Sequence, residues 1–277
     1  MAMIKLAIPN KGRLSESALR LLNEAGIKVE SGRQLFCKSG EMEILFVRAG
    51  DIPEYVQDGA ADLGITGIDL VEETGAKVET LLKLGFGLSR LVVAVPKNSK
   101  IKTKNDIRDG MRVATEFPNL TRNYLRRIKK RASIVKVSGA TEITPYLGVA
   151  DLITDLTSTG TTLELNDLRV IDCILETEAV LIGSRKYARH SIVTSIKSVI
   201  DARGMRYLMA NVPTKKLELV KKSIPSMESP TVLDLAEREY KAVHTVVKVN
   251  QVYEIIHRLK KLGCKDILVL PIERLVE

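Results

Sequence analysis

Tryptophan is absent from the 277 residues, and phenylalanine and tyrosine supply only 4% of them. Stacking platforms for bases are therefore scarce, which argues against nucleic acid as the ligand. The cores must be built from Leu, Ile, Val and Ala. Cysteines number three, Cys37, Cys173 and Cys264, with no Cys-x-x-Cys pair. Neither a zinc site nor a disulfide framework is indicated, and a reducing, cytoplasmic setting is expected. His190, His244 and His257 lack His-x-x-x-His spacing and a serine or cysteine elbow, so a hydrolase triad is not expected. No apolar run approaches the ~20 residues of a membrane span. The opening MAMIKLAIPNKGR reads as a first strand and not as a signal peptide.

Cations are plentiful. Lys and Arg total 43 against 34 acidic residues, a formal charge of +9, which attracts polyanions. The densest run, RNYLRRIKKR at 122–131, reads as a solvated helix face or as a polyanion contact. With aromatics so few, phosphorylated small molecules are the better match.

Length alone suggests two or three domains. Strand and helix patterns alternate at first: IKLAIP, the helical LSESALRLLNEAG with Ser15 as N-cap and Gly26 as stop, MEILFVR, IPEYVQDG, ADLGITG. A second α/β stretch begins at LSRLVVAVP and includes RVATEFP, a helix over 120–130, SIVKVS and a helix over EITPYLG. The run EAVLIGSRKYA reads as a strand returning to the first lobe. No internal repeat is evident. We therefore expect an α/β fold with lobe I at 1–88 and 178–204 and lobe II at 89–177, facing each other across a cleft. From 205 to 277 the order βαββαβ is ferredoxin-like.

Three stretches carry chemistry. In DLITDLTSTGTTLELNDL, residues 151–168, a strand leads into a glycine-containing turn rich in hydroxyls. Ser158, Thr159, Gly160, Thr161 and Thr162 either cradle a phosphate monoester or only cap a helix start after a strand, and the missing lysine rules out the nucleotide-triphosphate loop. Asp151 and Asp155, four apart, share one strand face, and either accept ribose hydroxyls or approach a metal-bound diphosphate. In PNKGRLS, Lys11, Gly12 and Arg13 follow the first strand, where open α/β sheets bind ligands. These are either exposed loop cations or a polyphosphate contact. GFGLSR, residues 85–90, matches G-x-G-x-x-G only in part, so a dinucleotide fold is rejected.

Taken in order, IPNKGRL, DLGITGIDL, LGFG and DLITDLTSTGTTLELNDL resemble the ATP phosphoribosyltransferase family, the first enzyme of histidine biosynthesis. The tail resembles the regulatory domain of its long form. The resemblance implies a two-lobed body like the periplasmic binding proteins. It also implies attack of adenine N1 of ATP on C1 of phosphoribosyl diphosphate, with Mg²⁺ accompanying the diphosphate. By the same match Ser158–Thr162 hold the 5′-phosphate, and Asp155 and Glu142 contact the ribose hydroxyls, with Asp151 a further candidate. Lys11, Gly12, Arg13, Arg48 and Thr66 line the ATP side. No protein ligand of the metal is assigned. Histidine is the implied inhibitor, acting on a homo-oligomer (dimer and hexamer) through a site near LMAN and ESPT, with Asn211 and Thr231 as candidates. Family members often carry aspartate where Asn211 stands. A non-catalytic two-lobed binding protein and a ferredoxin-like regulator are the rival readings.

Overall fold

The apolar run IKLAIP forms β1 (Ile4–Pro9), and its last four residues are buried because its sheet is covered on both faces. The structure, a computed structural model, describes residues 3–29, 35–224, 229–236 and 239–276. They divide into two units, one running to Asn23 and then from Ile27 to His190, the other comprising Glu24–Gly26 and the chain from Ser191.

In the first unit β1 is followed by α1 (Gly12–Glu24), β2 (Phe36–Ser39), β3 (Met42–Val47), α2 (Ile52–Gln57), β4 (Leu63–Gly67), α3 (Ile68–Thr74) and β5 (Glu79–Lys83). The chain then crosses to a second sheet and builds β6 (Ser89–Pro96), β7 (Arg112–Thr115), α4 (Pro118–Arg127), β8 (Ser133–Lys136), β9 (Leu152–Thr157), α5 (Thr161–Leu165) and β10 (Leu168–Thr177). It returns to the first sheet as β11 (Ala179–Gly183).

The sheets have orders β2-β3-β1-β4-β11-β5 and β10-β6-β9-β7-β8. With the edge strand β2 set aside, they are one design used twice. Three parallel strands, β3-β1-β4 or β8-β7-β9, are followed by an antiparallel strand that adjoins the crossing, β11 or β6, and then by an edge strand. This is the two-lobed architecture of periplasmic binding proteins. The sequence reading found no internal repeat; the structure corrects it. The repeat survives in sequence as Ala-Asp-Leu at 61–63 and 150–152. In each lobe the aspartate accepts a backbone N–H from the start of the first parallel strand, Lys5 N to Asp62 (2.9 Å) and Arg112 N to Asp151 (2.8 Å).

The lobe II sheet explains why RLVVAVP is apolar without alternation. Val93 and Val95 face one core with Val113 and Leu152, while Val92 and Ala94 face the other with Ala114 and Ile153.

Three local expectations change. Ser15 is buried inside α1, not at its cap, because the helix already begins at Gly12. Gly26 does end the helix: it is left-handed (φ 78°), and Ile27 N donates back to Leu22 O. The helix expected over EITPYLG is only a 3₁₀ turn, Thr141–Ile143, followed by further turns, since Pro145 has no N–H to give the ladder. The helix expected over 120–130 lies at Pro118–Arg127.

The second unit contains α6 (Ser191–Arg203), β12 (Met205–Pro213), α7 (Leu217–Ser223), β13 (Thr231–Asp234), β14 (Tyr240–Lys248), α8 (Val252–Lys261) and β15 (Lys265–Pro271). Its antiparallel sheet, β13-β14-β12-β15, is the ferredoxin-like order. Leu208, Ala210, Val212, Val243 and Val247 face Val220, Ile255 and Leu259 of the helices. Tyr207, Met209, Leu268 and Leu270 lie on the other face, with Leu268 and Leu270 about half exposed. Among the described residues, no helix is long and apolar enough to cross a membrane.

Candidate active site

In open sheets ligands gather at the carboxyl ends of parallel strands. Here those ends are the loops after β1, β3 and β4 in lobe I and after β7, β8 and β9 in lobe II. Lys11–Arg13, Arg48, Glu142 and Ser158–Thr162 fall on them, and Thr66 and Asp155 lie in the strand ends that lead into them, whereas Asp151 precedes β9.

The loop after β9 is held in shape by its own hydroxyls. Gly160 N donates to Thr157 Oγ1 (2.9 Å), Thr159 and Thr161 hydroxyls meet at 2.9 Å, and Ser158 Oγ lies 3.1 Å from Ser89 Oγ on β6. Gly160 is left-handed (φ 85°, ψ −8°) and caps α5. Nothing lies within 4 Å of where its Cβ would be, so the backbone angle and not crowding requires glycine. Ser158, Thr159, Thr161 and Thr162 are exposed.

Asp155 stands two residues before the end of β9, partly buried. Burial is the largest influence on it, the Leu156 N–H at 2.8 Å opposes that influence, and the charges of Glu142 and Glu116 add to it. The result is a carboxyl pushed up to about 6. Glu142 lies in the 3₁₀ turn after β8, and Glu116 lies just beyond β7. A Cβ on Gly139 would be 3.7 Å from Glu116 Oε1, so the β8 loop runs beside that carboxylate. Glu116 was missed in the sequence. The only local hint is its place one residue past a strand, and its nearness to Asp155 depends on β7 pairing with β9. Neighbouring carboxylates, one of them partly protonated near neutral pH, can accept a vicinal diol and set a negative potential around a carbon that develops positive charge.

On the lobe I side Lys11, Gly12 and Arg13 are exposed at the start of α1, and Arg48 is exposed after β3. Thr66 differs from expectation. It is fully buried and donates to Ala49 O (2.7 Å), so it fixes the 48–51 loop and does not face a ligand itself. Asp151 also separates from the group. It precedes β9 at the amino end of the strand, where its carboxylate receives Arg112 N. A cavity of about 430 Å³ lies at that end, lined by Asn98, Lys100, Arg108 and Asp151 among others, on the side away from the hydroxyl loop. We expect Asp151→Ala to keep turnover within about threefold of the parent and to lower stability by about 1 kcal/mol, the worth of one such bond. A steady-state assay paired with a thermal melt checks this.

In the second unit Asn211 lies on the sheet face away from the helices and donates to Asp266 Oδ2 (2.8 Å). Thr231 pairs with His244, which pairs with Met209 on that same face. Of the ESPT stretch, Glu228 lies outside the described residues.

Comparison with known proteins agrees across the whole chain. The family described as ATP phosphoribosyltransferase matches residues 48–202, and that described as HisG, C-terminal domain, matches 202–274. The ATP phosphoribosyltransferase of Methanothermobacter thermautotrophicus is 49% identical over 99% of both chains. That of Methanocaldococcus jannaschii is 46% identical, over 99% of this chain and all of its own. A solved chain from the ATP phosphoribosyl transferase (HisG:HisZ) complex of Thermotoga maritima superposes with a TM-score of 0.63 at 30% identity. It is covered over 99% of its length by 70% of this chain. The protein is a pentosyltransferase. It belongs to the ATP phosphoribosyltransferase family, in the long form that carries its own C-terminal domain. The reaction moves the phosphoribosyl group of phosphoribosyl diphosphate to N1 of ATP, the first step of histidine biosynthesis.

Proposed function

We propose that lobe II holds phosphoribosyl diphosphate and lobe I the polyphosphate of ATP. Ser158–Thr162 take the 5′-phosphate, and Asp155 with Glu142 take the ribose hydroxyls. Lys11, Gly12, Arg13 and Arg48 receive ATP, with Thr66 bracing their neighbouring loop. The observation that carries this reading is the left-handed, hydroxyl-lined turn at Gly160, set at the same strand ends as the carboxylates.

The chemistry asks little of acid–base groups. Adenine N1 already has a lone pair, so its bond to C1 forms as the bond from C1 to the diphosphate oxygen breaks, and the electron pair leaves with diphosphate. What remains for the protein is alignment and stabilisation of a positively charged sugar carbon. Mg²⁺ neutralises the departing diphosphate when bound. Among the described residues no group of three or more His, Cys, Asp or Glu side chains converges as a metal cage. Soaking phosphoribosyl diphosphate into crystals tests the assignment: its 5′-phosphate should sit within hydrogen-bonding reach of the 158–162 amides and hydroxyls. Density for that phosphate at the Lys11–Arg13 loop would reverse the two lobes.

The second unit is a histidine-responsive oligomerisation domain. Its outer sheet face presents Tyr207, Met209, Leu268 and Leu270 in cross-strand register, an apolar surface suited to further copies of the chain. Asn211 and Thr231 border that face, and Asp266 sets a carboxylate beside Asn211 for an effector ammonium group. Inhibition then follows from unequal histidine affinity for two assembly states, in a cytoplasmic enzyme. Leu268→Glu should shift the enzyme to smaller species in sedimentation velocity and weaken histidine inhibition at least about tenfold. Uninhibited turnover should stay within about twofold, because Leu268 belongs to the outer sheet face of the second unit and to neither lobe. Full inhibition in a dissociated variant would uncouple the two properties.

A further inference from the structure

We propose that α3 latches the two lobes together and that Glu73, at its last turn, is a positioning residue for phosphoribosyl transfer. The argument begins with a defect in α4. Its start, Phe117-Pro118-Asn119-Leu120, places phenylalanine at the N-cap, and no side chain of its own caps it. Free amides at a helix start call for an acceptor.

The acceptor comes from the opposite lobe. Glu73 Oε1 receives Asn119 N and Oε2 receives Leu120 N, both at 2.9 Å, and Glu73 O receives Asn119 Nδ2, also at 2.9 Å. Both carboxylate oxygens and the backbone carbonyl of one lobe I residue are thus committed to lobe II. On the same helix Leu70 packs into the lobe II cluster of Leu91, Phe117 and Leu120. Asp69 exchanges hydrogen bonds with Thr177, the last residue of β10 before the chain crosses back. Positions 69, 70 and 73 lie along one side of the helix. That side is built to grip the other lobe.

The grip bears on the site because Glu116 lies three residues before Asn119. Fixing the first turn of α4 against lobe I fixes Glu116, and the carboxylates beside it, relative to the Lys11–Arg13 loop. The duplicated design sharpens the contrast. In lobe I the equivalent helix start, at α1, is flanked by exposed Lys11 and Arg13, whereas in lobe II it is filled by Glu73. An anion is therefore denied the α4 start and left the loop after β9. The inference rests on the proposed division of substrates between the lobes. On that basis the adenine and the sugar carbon are aligned by the frame that α3 holds together.

The test uses the full chain with Glu73→Ala and Glu73→Gln. Misplacement of reacting groups by about 1 Å can cost about 100-fold. We expect kcat to fall about 30-fold in Glu73→Ala and about fivefold in Glu73→Gln, whose amide oxygen still accepts one N–H. Calorimetric affinity for phosphoribosyl diphosphate alone should stay within about threefold, since lobe II keeps its own loop. Spin labels on genetically encoded residues at Lys38 and Asn123 should give a narrow interlobe distance in ligand-free parent enzyme and a broad one in Glu73→Ala. An unchanged distance distribution, or a kcat within about twofold of the parent, would overturn the latch. So would loss of phosphoribosyl diphosphate affinity in proportion to kcat, because that outcome marks local unfolding of lobe II. A failure of the substrate assignment reads out elsewhere, as unchanged affinity in a Gly160→Val variant, and leaves the label distances meaningful.

Discussion

Asp155→Asn should melt higher than the parent protein while turning over at least about 100-fold more slowly, the scale of a lost electrostatic contact at a reacting centre. The two effects share one cause. Burial, reinforced by Glu142 and Glu116, lifts the Asp155 carboxyl from its ordinary 3.8 to about 6. The native chain therefore retains a proton that the unfolded chain gives up. Stability linked to that proton is complete below the unfolded value, drains away as the pH climbs through the folded one, and is gone at neutral pH. A rise of this size corresponds to up to about 3 kcal/mol. Partial access of water reduces this to roughly 1–2 kcal/mol. Asparagine has no charge to desolvate and its oxygen still accepts the Leu156 N–H. The variant's advantage should be absent near pH 4, grow to about pH 6 and then level, with Tm raised by roughly 2–5 °C at pH 7.5. Melts at four pH values beside a turnover assay check both halves. A variant that melts lower at pH 7.5 would remove the strain from Asp155. Full turnover would remove the residue from the chemistry.

Gly160→Val should raise KM for phosphoribosyl diphosphate at least about 50-fold and change KM for ATP by less than about threefold. A left-handed backbone costs an L-residue roughly 1–2 kcal/mol, and a β-branched side chain makes it a true outlier. Because the space around the would-be Cβ is open, no clash masks this term. The turn relieves the strain by leaving the left-handed region. Gly160 N then withdraws from Thr157 Oγ1, and the hydroxyls at 158–162 lose their common orientation. Gly160→Ala should fall between parent and valine. Equal losses for both substrates would mean that the loop serves the fold as a whole.

The division between what could and could not be read from sequence follows the range of the determining contacts. The hydroxyl turn was legible because glycine, serine and threonine act within five residues. The ferredoxin-like tail was legible because each helix carries its own apolar stripe, such as Ile255 and Leu259, against an alternating strand. Strands β2 and β5 were not: FCKS is short, and ETLLK is largely exposed, so neither has a strong period. Asp151 read as a partner of Asp155 because strand periodicity reports a face and is silent about which end of the sheet a residue occupies. Glu116 and Glu73 went unseen for the same reason in another form. Their meaning comes from pairings 39 and 46 positions away, β7 with β9 and α3 with α4, which no local pattern encodes.

Strand β11 has a consequence for synthesis. It lies between β4 and β5, yet it follows them by about a hundred residues. A ribosome must therefore release almost two thirds of the polypeptide before the first sheet can close, and β5 waits without a neighbour until then. Lobe II, whose five strands run from β6 to β10 without interruption, can close by Thr177, so the nascent chain completes it before the first lobe receives β11.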